Sequence, residues 1–420
     1  MMQHRHGRSP RDSACARYFS VTRWITVAIA IALCAGSLTG CLRLVKPRHE
    51  RLRADPNVAP GVPVSQGSSA SAEPTFAPLP LAGKVLPPRK GAYLGVYTPP
   101  APFDVRRLDA FERQGRKGVS IAMWYQPWAR GNRSQFDAGA CAAIMRRGKV
   151  PLITWEPWDP GSDANQLHDA STQPSFRLSR IIDGSYDSYI RTWARSIRSL
   201  GGPVMLRPLH EMNGNWYPWG GTVNGNKPAE FRAAWRHIHD IFENEGATNV
   251  TWVWSINHES TPGTKANAYA AYYPGDHYVD WTGISGFNWG TTSPYSSWRT
   301  WSHWYAEPLA YLRTLHKPIC IAEFASVEQG GDKAAWLRDA YARMRAYPGV
   351  KAVVYYDSLE RGRISTQDWR VATSSASLAS FRSAIKPTYF ISHPPAALRR
   401  WMDSLTDADT QQLTSFPSVY

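Results

Sequence analysis

Residues 186–211, "YDSYIRTWARSIRSLGGPVMLRPLHE", contain a helix pattern followed directly by a strand pattern. Four apolar side chains recur at helical spacing in the first part: Tyr189, Trp193, Ile197 and Leu200. Gly201 and Gly202 mark the expected end of this helix. The near-continuous apolar run that follows is typical of a parallel strand covered on both faces. This stretch therefore predicts one helix–strand unit of an α/β protein.

Seven further apolar runs of similar length occur between Gly91 and residue 386, and helical patterns separate them. The eight runs are "AYLGVY", "GVSIAMWY", "VPLITWEP", "PVMLRPLHE", "VTWVWSIN", "DWTGISGFNW", "PICIAEF" and "VKAVVYYD". Eight alternations of strand and helix fit a single (β/α)8 barrel better than a doubly wound sheet. The α/β class and this TIM-barrel architecture are our fold prediction.

The sequence outside the barrel divides into three segments. Residues 1–40 carry several arginines, the apolar run "WITVAIAIALCAGSL" and then small residues, as in a signal peptide for export. "LTGC" at 38–41 is similar to a lipobox, so Cys41 is a candidate lipidation site, with an ordinary signal peptide or membrane anchor as the alternatives. Residues 41–90 are rich in Pro, Ser and Ala and predict a disordered linker. The barrel is expected over 91–386, and a C-terminal extension over 387–420.

The net charge of +15 raises the possibility of a nucleic-acid-binding protein. Residues 1–90 contain 13 lysines and arginines against 4 acidic residues, whereas residues 91–420 contain 35 against 29. Because most of the excess lies outside the barrel and no long basic run occurs within it, we expect no nucleic-acid partner. The 19 tryptophans and 20 tyrosines instead supply flat surfaces of the kind that bind sugars.

Polar and aromatic residues are concentrated at the ends of the apolar runs, where a barrel of this kind has its active site. They are Tyr125, Trp128, Trp155, Glu156, Trp158, His210, Glu211, Trp216, Asn257, His258, Asn288, Trp289 and Glu323. Glu211 and Glu323 end the fourth and seventh runs and are expected to face each other across the barrel mouth. Two opposed carboxyl groups among aromatic rings suit hydrolysis of a glycosidic bond, one as an acid and the other as an anion. The alternative is that one or both form structural ion pairs, for example with Arg207.

The stretch "LRPLHEMNGNWYPWG" at 206–220 resembles the acid/base motif of glycoside hydrolase family 26. "KPICIAEFAS" is similar to the strand that carries the nucleophile in that family, and "PLITWEPW", "WVWSINHES" and "VDWTGISGFNWG" occur in the matching order. The resemblance covers about residues 91–386. It implies a retaining glycosidase with its catalytic glutamates after strands four and seven.

Carried over by position, the resemblance makes Glu211 the acid/base and Glu323 the nucleophile. It implies that His210 forms hydrogen bonds near the reacting sugar and that Trp216 forms an aromatic wall. Trp155, Asn257 and Trp289 are further candidates for substrate binding, with packing at the rim or capping of a loop as the alternative. One position departs from the family pattern: Phe287 stands where a tyrosine commonly contacts the nucleophile. This departure predicts a slower enzyme, another partner for the nucleophile such as Tyr125, or a different alignment.

The resulting functional hypothesis is an exported, cell-surface or secreted endo-β-glycanase that acts by double displacement. β-1,4-Mannan is the substrate that the family resemblance implies by default, with mixed-linkage β-1,3-1,4-glucan as the nearest rival. The alternative is a carbohydrate-binding or polysaccharide-assembly lipoprotein that has lost catalysis on the same barrel. No metal-ligand cluster, Walker loop or dinucleotide fingerprint occurs in the sequence, so no cofactor or metal is expected. We expect a monomer whose partners are a polysaccharide and, through Cys41, a membrane.

Overall fold

The computed structural model describes residues 78–129, 134–160, 171–361 and 365–417. The predicted signal peptide, Cys41 and most of the predicted linker lie outside the described residues. Within the described ranges, no helix is both long and apolar enough to cross a membrane.

Eight parallel strands form a closed barrel, as the apolar runs predict. They are β1 (Ala92–Tyr97), β2 (Ile121–Pro127), β3 (Val150–Glu156), β4 (Val204–Pro208), β5 (Val250–Asn257), β6 (Trp281–Asn288), β7 (Ile319–Ser326) and β8 (Val350–Tyr356). Each strand pairs with the next in sequence, and β8 pairs with β1, for example Tyr93 beside Ala352. Almost every strand residue is buried, because the barrel interior covers one face of the sheet and helices cover the other. The (β/α)8 fold prediction is confirmed.

Helices between the strands form the outer layer. They are α1 (Val105–Gly115), α2 (Ala138–Arg146), α3 (Leu178–Ile182), α4 (Asp187–Leu200), α5 (Pro228–Asn244), α6 (Trp301–Thr314), α7 (Lys333–Ala346) and α8 (Ser375–Ile385). In α4 the buried face includes Trp193, Ile197 and Leu200, as the spacing predicts. The helix ends at Gly201, whose φ of 74° is a conformation that glycine adopts without steric cost.

Segments at both ends of the described chain cover the bottom of the barrel, opposite the mouth. The backbone N–H groups of Leu79 and Val85 donate to the Ser199 carbonyl at 3.1 Å and the Thr251 hydroxyl at 2.7 Å. Residues 78–90 are therefore attached to the barrel, which differs from the linker predicted over 41–90. The difference arises because Leu79, Ala82 and Val85 recur every three residues and bury their side chains within an otherwise proline-rich segment.

The C-terminal extension also packs on this end. It contains β11 (Phe390–Ile391), α9 (Ala396–Ser404) and α10 (Asp407–Ser415), and β11 pairs with the start of β1. The indole N–H of Trp401 donates to the Pro80 carbonyl at 2.7 Å, which joins the two covering segments. A hairpin of β9 (Leu359–Arg361) and β10 (Thr366–Asp368) lies instead after β8, at the mouth. The mouth is thus left open for a site.

Candidate active site

Glu323 points into the barrel mouth from a β-bulge in β7. Ala322 and Glu323 together lie opposite the single residue Ser285 of β6, and the register with β8 shifts at the same place. A bulge inserts one residue and changes the direction in which the following side chains point. The carboxyl group of Glu323 is only 3% exposed and lines the main cavity at the mouth.

Glu211 follows β4 in a segment with unusual backbone conformation. Leu209 and Glu211 have φ angles of 53° and 55°, which non-glycine residues seldom adopt. The segment is held on both sides, because Leu209 N–H donates to the Trp155 carbonyl at 3.2 Å and Glu211 N–H donates to the Ser255 carbonyl at 2.9 Å. Positive φ angles of this kind cluster at functional sites, where the surrounding structure holds them.

The two carboxyl groups come together as the sequence predicts. Glu211, Glu323 and His210 each place one side-chain atom of the ligating type within 4.8 Å of the others. Carboxyl groups about 5–5.5 Å apart are typical of retaining glycosidases, in which no water lies between the nucleophile and the sugar. The separation therefore fits nucleophilic attack better than attack by water in a single step.

Arg207 is the counter-ion of Glu323. Its fully buried guanidinium donates from Nη2 to Oε1 of Glu323, and the hydroxyl of Ser285 donates to the same oxygen at 3.4 Å. The ion pair that the sequence raised as an alternative is therefore present. It does not remove Glu323 from the cavity, because the carboxyl group contacts Arg207 and still lines the mouth. The carboxylate of a glutamate can act as a nucleophile, and the hydrogen bond from Arg207 holds this one in a fixed position at the cavity wall.

Glu211 lies in a different environment. Burial and, second, the negative charge of Glu323 raise the pKa of Glu211 to about 7, against the opposing effects of Arg207 and Trp216. The indole N–H of Trp216 donates to Oε2 of Glu211 at 2.9 Å. A carboxyl group with a pKa near neutrality can both give and take a proton at physiological pH, as an acid/base residue must.

His210 lies beside the two glutamates and is electrically neutral. Burial and the charge of Arg207 hold the pKa of His210 well below its usual value. Its backbone carbonyl accepts a hydrogen bond from the Trp219 indole at 2.7 Å, which ties the segment after β4 to the following loop. A neutral imidazole beside the reacting carboxyls adds no positive charge that would favour ionisation of Glu211.

The prediction that Trp155 lines the cleft is wrong. Trp155 is fully buried between β3 and α4, where its indole N–H donates to the Tyr189 hydroxyl at 3.3 Å and its ring packs against Trp193. Successive side chains of a strand point to opposite faces. Since Glu156 points into the mouth, Trp155 points outward to the helices.

Trp216, Asn257 and Trp289 do line the mouth. The Asn257 amide also serves its own loop, because Nδ2 donates to the Glu259 carbonyl at 2.8 Å. Trp289 is 37% exposed and borders three cavities, so its ring is more accessible than that of Trp216.

Phe287 occupies the wall of the mouth, and its ring contacts Tyr356 and Trp369. A phenyl ring offers no hydrogen bond to Glu323. The donors that the structure gives this carboxyl group are Arg207 and Ser285, whereas the expected substitute Tyr125 packs against His210. Arg207 and Ser285 are thus residues of the candidate site, and of the two only Arg207 is named from the sequence, as a possible ion-pair partner.

Three adjoining cavities form a groove across the mouth. One of about 460 Å³ contains both Glu211 and Glu323, and one of about 390 Å³ contains Glu211 without Glu323. A third, of about 570 Å³, continues from the second through Glu259 and Trp289.

Among the described residues, the His210, Glu211 and Glu323 cluster is also the group whose atoms could hold a metal ion. Oε1 of Glu323 is already paired with the guanidinium of Arg207 in this cluster.

A (β/α)8 barrel with two glutamates converging from strands four and seven has the two-carboxyl site of a glycoside hydrolase. Residues 139–305 match the model of glycosyl hydrolase family 26. This part of the barrel belongs to the family, so the recognition made from sequence motifs is confirmed.

The names of the relatives cover a range of activities. The chain is 36% identical over 299 residues to endoglucanase H of Acetivibrio thermocellus, covering 70% of this chain and 30% of that protein. It is 30% identical over 167 residues to a mannan endo-1,4-beta-mannosidase of Bacillus subtilis, covering 39% of this chain and 40% of that protein. The chain therefore aligns with less than half the length of either relative.

Solved structures share the fold at low sequence identity. The structure of a GH26 β-mannanase from Bacteroides ovatus superposes with a TM-score of 0.54 at 17% identity, covering 73% of this chain and 91% of that chain. This likeness concerns the barrel alone.

Proposed function

We propose that this chain is a retaining endo-β-glycanase that cleaves a β-linked polysaccharide with Glu211 and Glu323. The observation that carries the proposal is the placement of these carboxyl groups within 4.8 Å in unlike environments. Glu323 is paired with the cation Arg207, whereas burial and the nearby negative charge raise the pKa of Glu211 to about 7. One group is thereby suited to attack and the other to proton transfer.

In the first step, a carboxylate oxygen of Glu323 attacks the anomeric carbon of the sugar. The bond from that carbon to the glycosidic oxygen breaks, and the proton of Glu211 passes to the departing oxygen. In the second step, Glu211 takes a proton from water, whose oxygen attacks the same carbon and displaces Glu323. Two displacements at one carbon retain its configuration.

The cavities suggest the direction in which the polysaccharide lies. The nucleophile must face the anomeric carbon, and the acid must face the oxygen of the leaving group. The cavity with both glutamates is therefore assigned to the glycone sugar, and the cavity that contains Glu211 without Glu323 to the leaving group. Because the groove continues beyond Trp289, sugars can extend on the leaving-group side, which favours cleavage within a chain.

For the substrate, we propose a β-glucan with mixed 1,3 and 1,4 linkages in preference to β-1,4-mannan. The relative named endoglucanase H is 36% identical over 70% of this chain, whereas the mannosidase of Bacillus subtilis is 30% identical over 39%. Mannan is the second candidate because several of the family relatives are named mannan endo-1,4-beta-mannosidase.

The test compares reducing-sugar release from lichenan, galactomannan and β-1,3-xylan, with NMR of the first anomer released. We expect the highest rate on lichenan and an initial product of β configuration. The Glu323→Gln variant should lose at least about 10⁴-fold in kcat, whereas Glu243→Gln, an exposed change on α5, serves as the matched control. Wild-type and Glu323→Gln rates that are equal and low on every substrate would instead support a binding protein, which the phenylalanine at 287 favours.

Export and tethering are part of the same proposal. The support comes from the sequence alone, namely the signal-like segment and the "LTGC" motif. Cys41 itself lies outside the described residues. A fatty-acid label should be incorporated into the wild type and not into Cys41→Ser, and the variant should leave the membrane fraction. Both carboxyl groups come from one barrel, so we propose that the monomer is the active unit.

A further inference from the structure

A third glutamate lies in the cavity assigned to the glycone sugar. Glu156 is the last residue of β3, is 4% exposed, and lines this cavity together with Glu211 and Glu323. The indole N–H of Trp158 donates to its Oε2 at 3.2 Å. The two-step reaction needs only two carboxyl groups, so it leaves Glu156 without a role.

The other oxygen of Glu156 faces His210. The distance from Oε1 to Nδ1 of His210 is 4.0 Å, which is too long for a hydrogen bond. Nδ1 of His210 has no hydrogen-bond partner among the described residues, although the side chain is 1% exposed. A buried polar atom without a protein partner is available to bind a polar atom of a ligand. A sugar hydroxyl both donates and accepts, so it suits the space beside two such groups.

The surroundings decide whether Glu156 donates or accepts. Burial raises the pKa of Glu156 to about 8, and the charges of Glu323 and Glu211 act in the same direction. The Trp158 hydrogen bond and the charge of Arg207 oppose the shift. The other titratable groups facing it are His210, Tyr97 and Tyr217. At neutral pH the group therefore carries a proton, and a protonated carboxyl group can donate.

We propose that Glu156 is a specificity-determining residue that donates a hydrogen bond, as a neutral carboxylic acid, to a hydroxyl group of the glycone sugar. The proposal rests on the proposed function, because it is the sugar in that cleft that Glu156 contacts. A site that donates to one hydroxyl discriminates against a sugar that presents this hydroxyl elsewhere, since the buried donor is then left unpaired. Glucose and mannose differ in the orientation of one hydroxyl.

The test compares Glu156→Gln with Glu156→Ala, because glutamine keeps a donor of the same shape and alanine does not. At pH 6 we expect kcat/KM to fall by less than about tenfold for Glu156→Gln and by about 100-fold for Glu156→Ala. The ratio of lichenan to galactomannan hydrolysis should change in the alanine variant. Equal losses in both variants would overturn the proposal, because glutamine keeps a side-chain donor that alanine lacks.

The pH profile gives a readout that a structural role would not produce. Above pH 8 the wild type loses protons from both Glu211 and Glu156, so the slope of log kcat/KM against pH should approach −2. In Glu156→Gln it should remain near −1. An unchanged slope contradicts the proposal.

Two measurements separate this proposal from the proposed hydrolysis. The infrared difference between wild type and Glu156→Gln should contain a carboxylic acid band at pH 6 that disappears as the pH rises through about 8. In calorimetry, cellotetraose should bind to wild type more tightly than to Glu156→Ala. Binding and the band without hydrolysis would contradict only the proposed function. The absence of the band, or equal binding by the two proteins, would overturn the role of Glu156.

Discussion

The hydrogen bond from Trp216 to Glu211 should set the upper pH limit of activity. In Trp216→Phe an aromatic ring remains as a cleft wall, but the N–H that donates to Oε2 at 2.9 Å is removed. This N–H stabilises the ionised carboxylate and lowers its pKa, so its removal raises the pKa. A hydrogen bond to a charged group contributes about 1.5–3 kcal/mol, and Trp216 is only half-buried, so the lower value applies.

One pKa unit corresponds to about 1.4 kcal/mol, so the pKa of Glu211 should rise by about one unit, from about 7 to about 8. At pH 8 the protonated fraction would then increase from about a tenth to about a half. The part of the alkaline limb of kcat/KM that reports Glu211 should therefore move to higher pH by about one unit, toward the pKa of about 8 of Glu156. The assay is lichenan hydrolysis from pH 5 to 10, with Trp289→Phe as a control that removes a cleft indole without a bond to Glu211. A limb that stays in place, or moves to lower pH, would show that the Trp216 N–H does not stabilise the ionised form of Glu211.

Three further outcomes follow from the packing. Arg207→Met should lower the free energy of unfolding by about 3–5 kcal/mol in urea denaturation, because it leaves Glu323 buried without a counter-ion. Adding Glu323→Gln should restore most of this loss. A double variant as unstable as Arg207→Met would contradict the ion pair. Trp155→Ala should cost about 3–5 kcal/mol of stability and leave KM within about twofold, since the ring is fully buried behind the strand. Trp289→Ala should raise KM several-fold and change the free energy of unfolding by less than about 0.5 kcal/mol, because the ring lies at the mouth. Equal effects of Trp155→Ala and Trp289→Ala would contradict the burial of the first ring and the exposure of the second.

The architecture follows from the sequence because each strand is a continuous apolar run covered on two faces. Because such a run has no alternation of apolar and polar residues, it does not indicate which face of the sheet each side chain occupies. In "VPLITWE" every residue is buried, so Trp155 and Glu156 could not be assigned to the helix layer and the mouth from the pattern alone. The bulge at Ala322 and Glu323 is equally hidden, because it depends on register with both neighbouring strands.

The site was predicted where residue type carried the information. Glu211 and Glu323 stand out as carboxyl groups at the ends of apolar runs, and the structure places them together. Arg207 was recognised as a possible ion-pair partner, but its position inside the barrel beneath the nucleophile depends on strand alternation. Residues 78–90 are predicted as linker because their composition is rich in proline. The three spaced apolar residues Leu79, Ala82 and Val85 are too weak a signal to predict packing from the sequence alone.

The proposed mechanism requires Glu323 to form a covalent bond to the sugar. A glycoside with fluorine at carbon 2 and a good leaving group slows both steps but slows the second more, so the intermediate accumulates. Mass spectrometry of the digested wild-type protein should place one fluorosugar on the peptide that contains Glu323, with none on Glu323→Gln. A label on another carboxyl group, or turnover that inverts the anomeric carbon and leaves no label, would show that Glu323 is not the nucleophile.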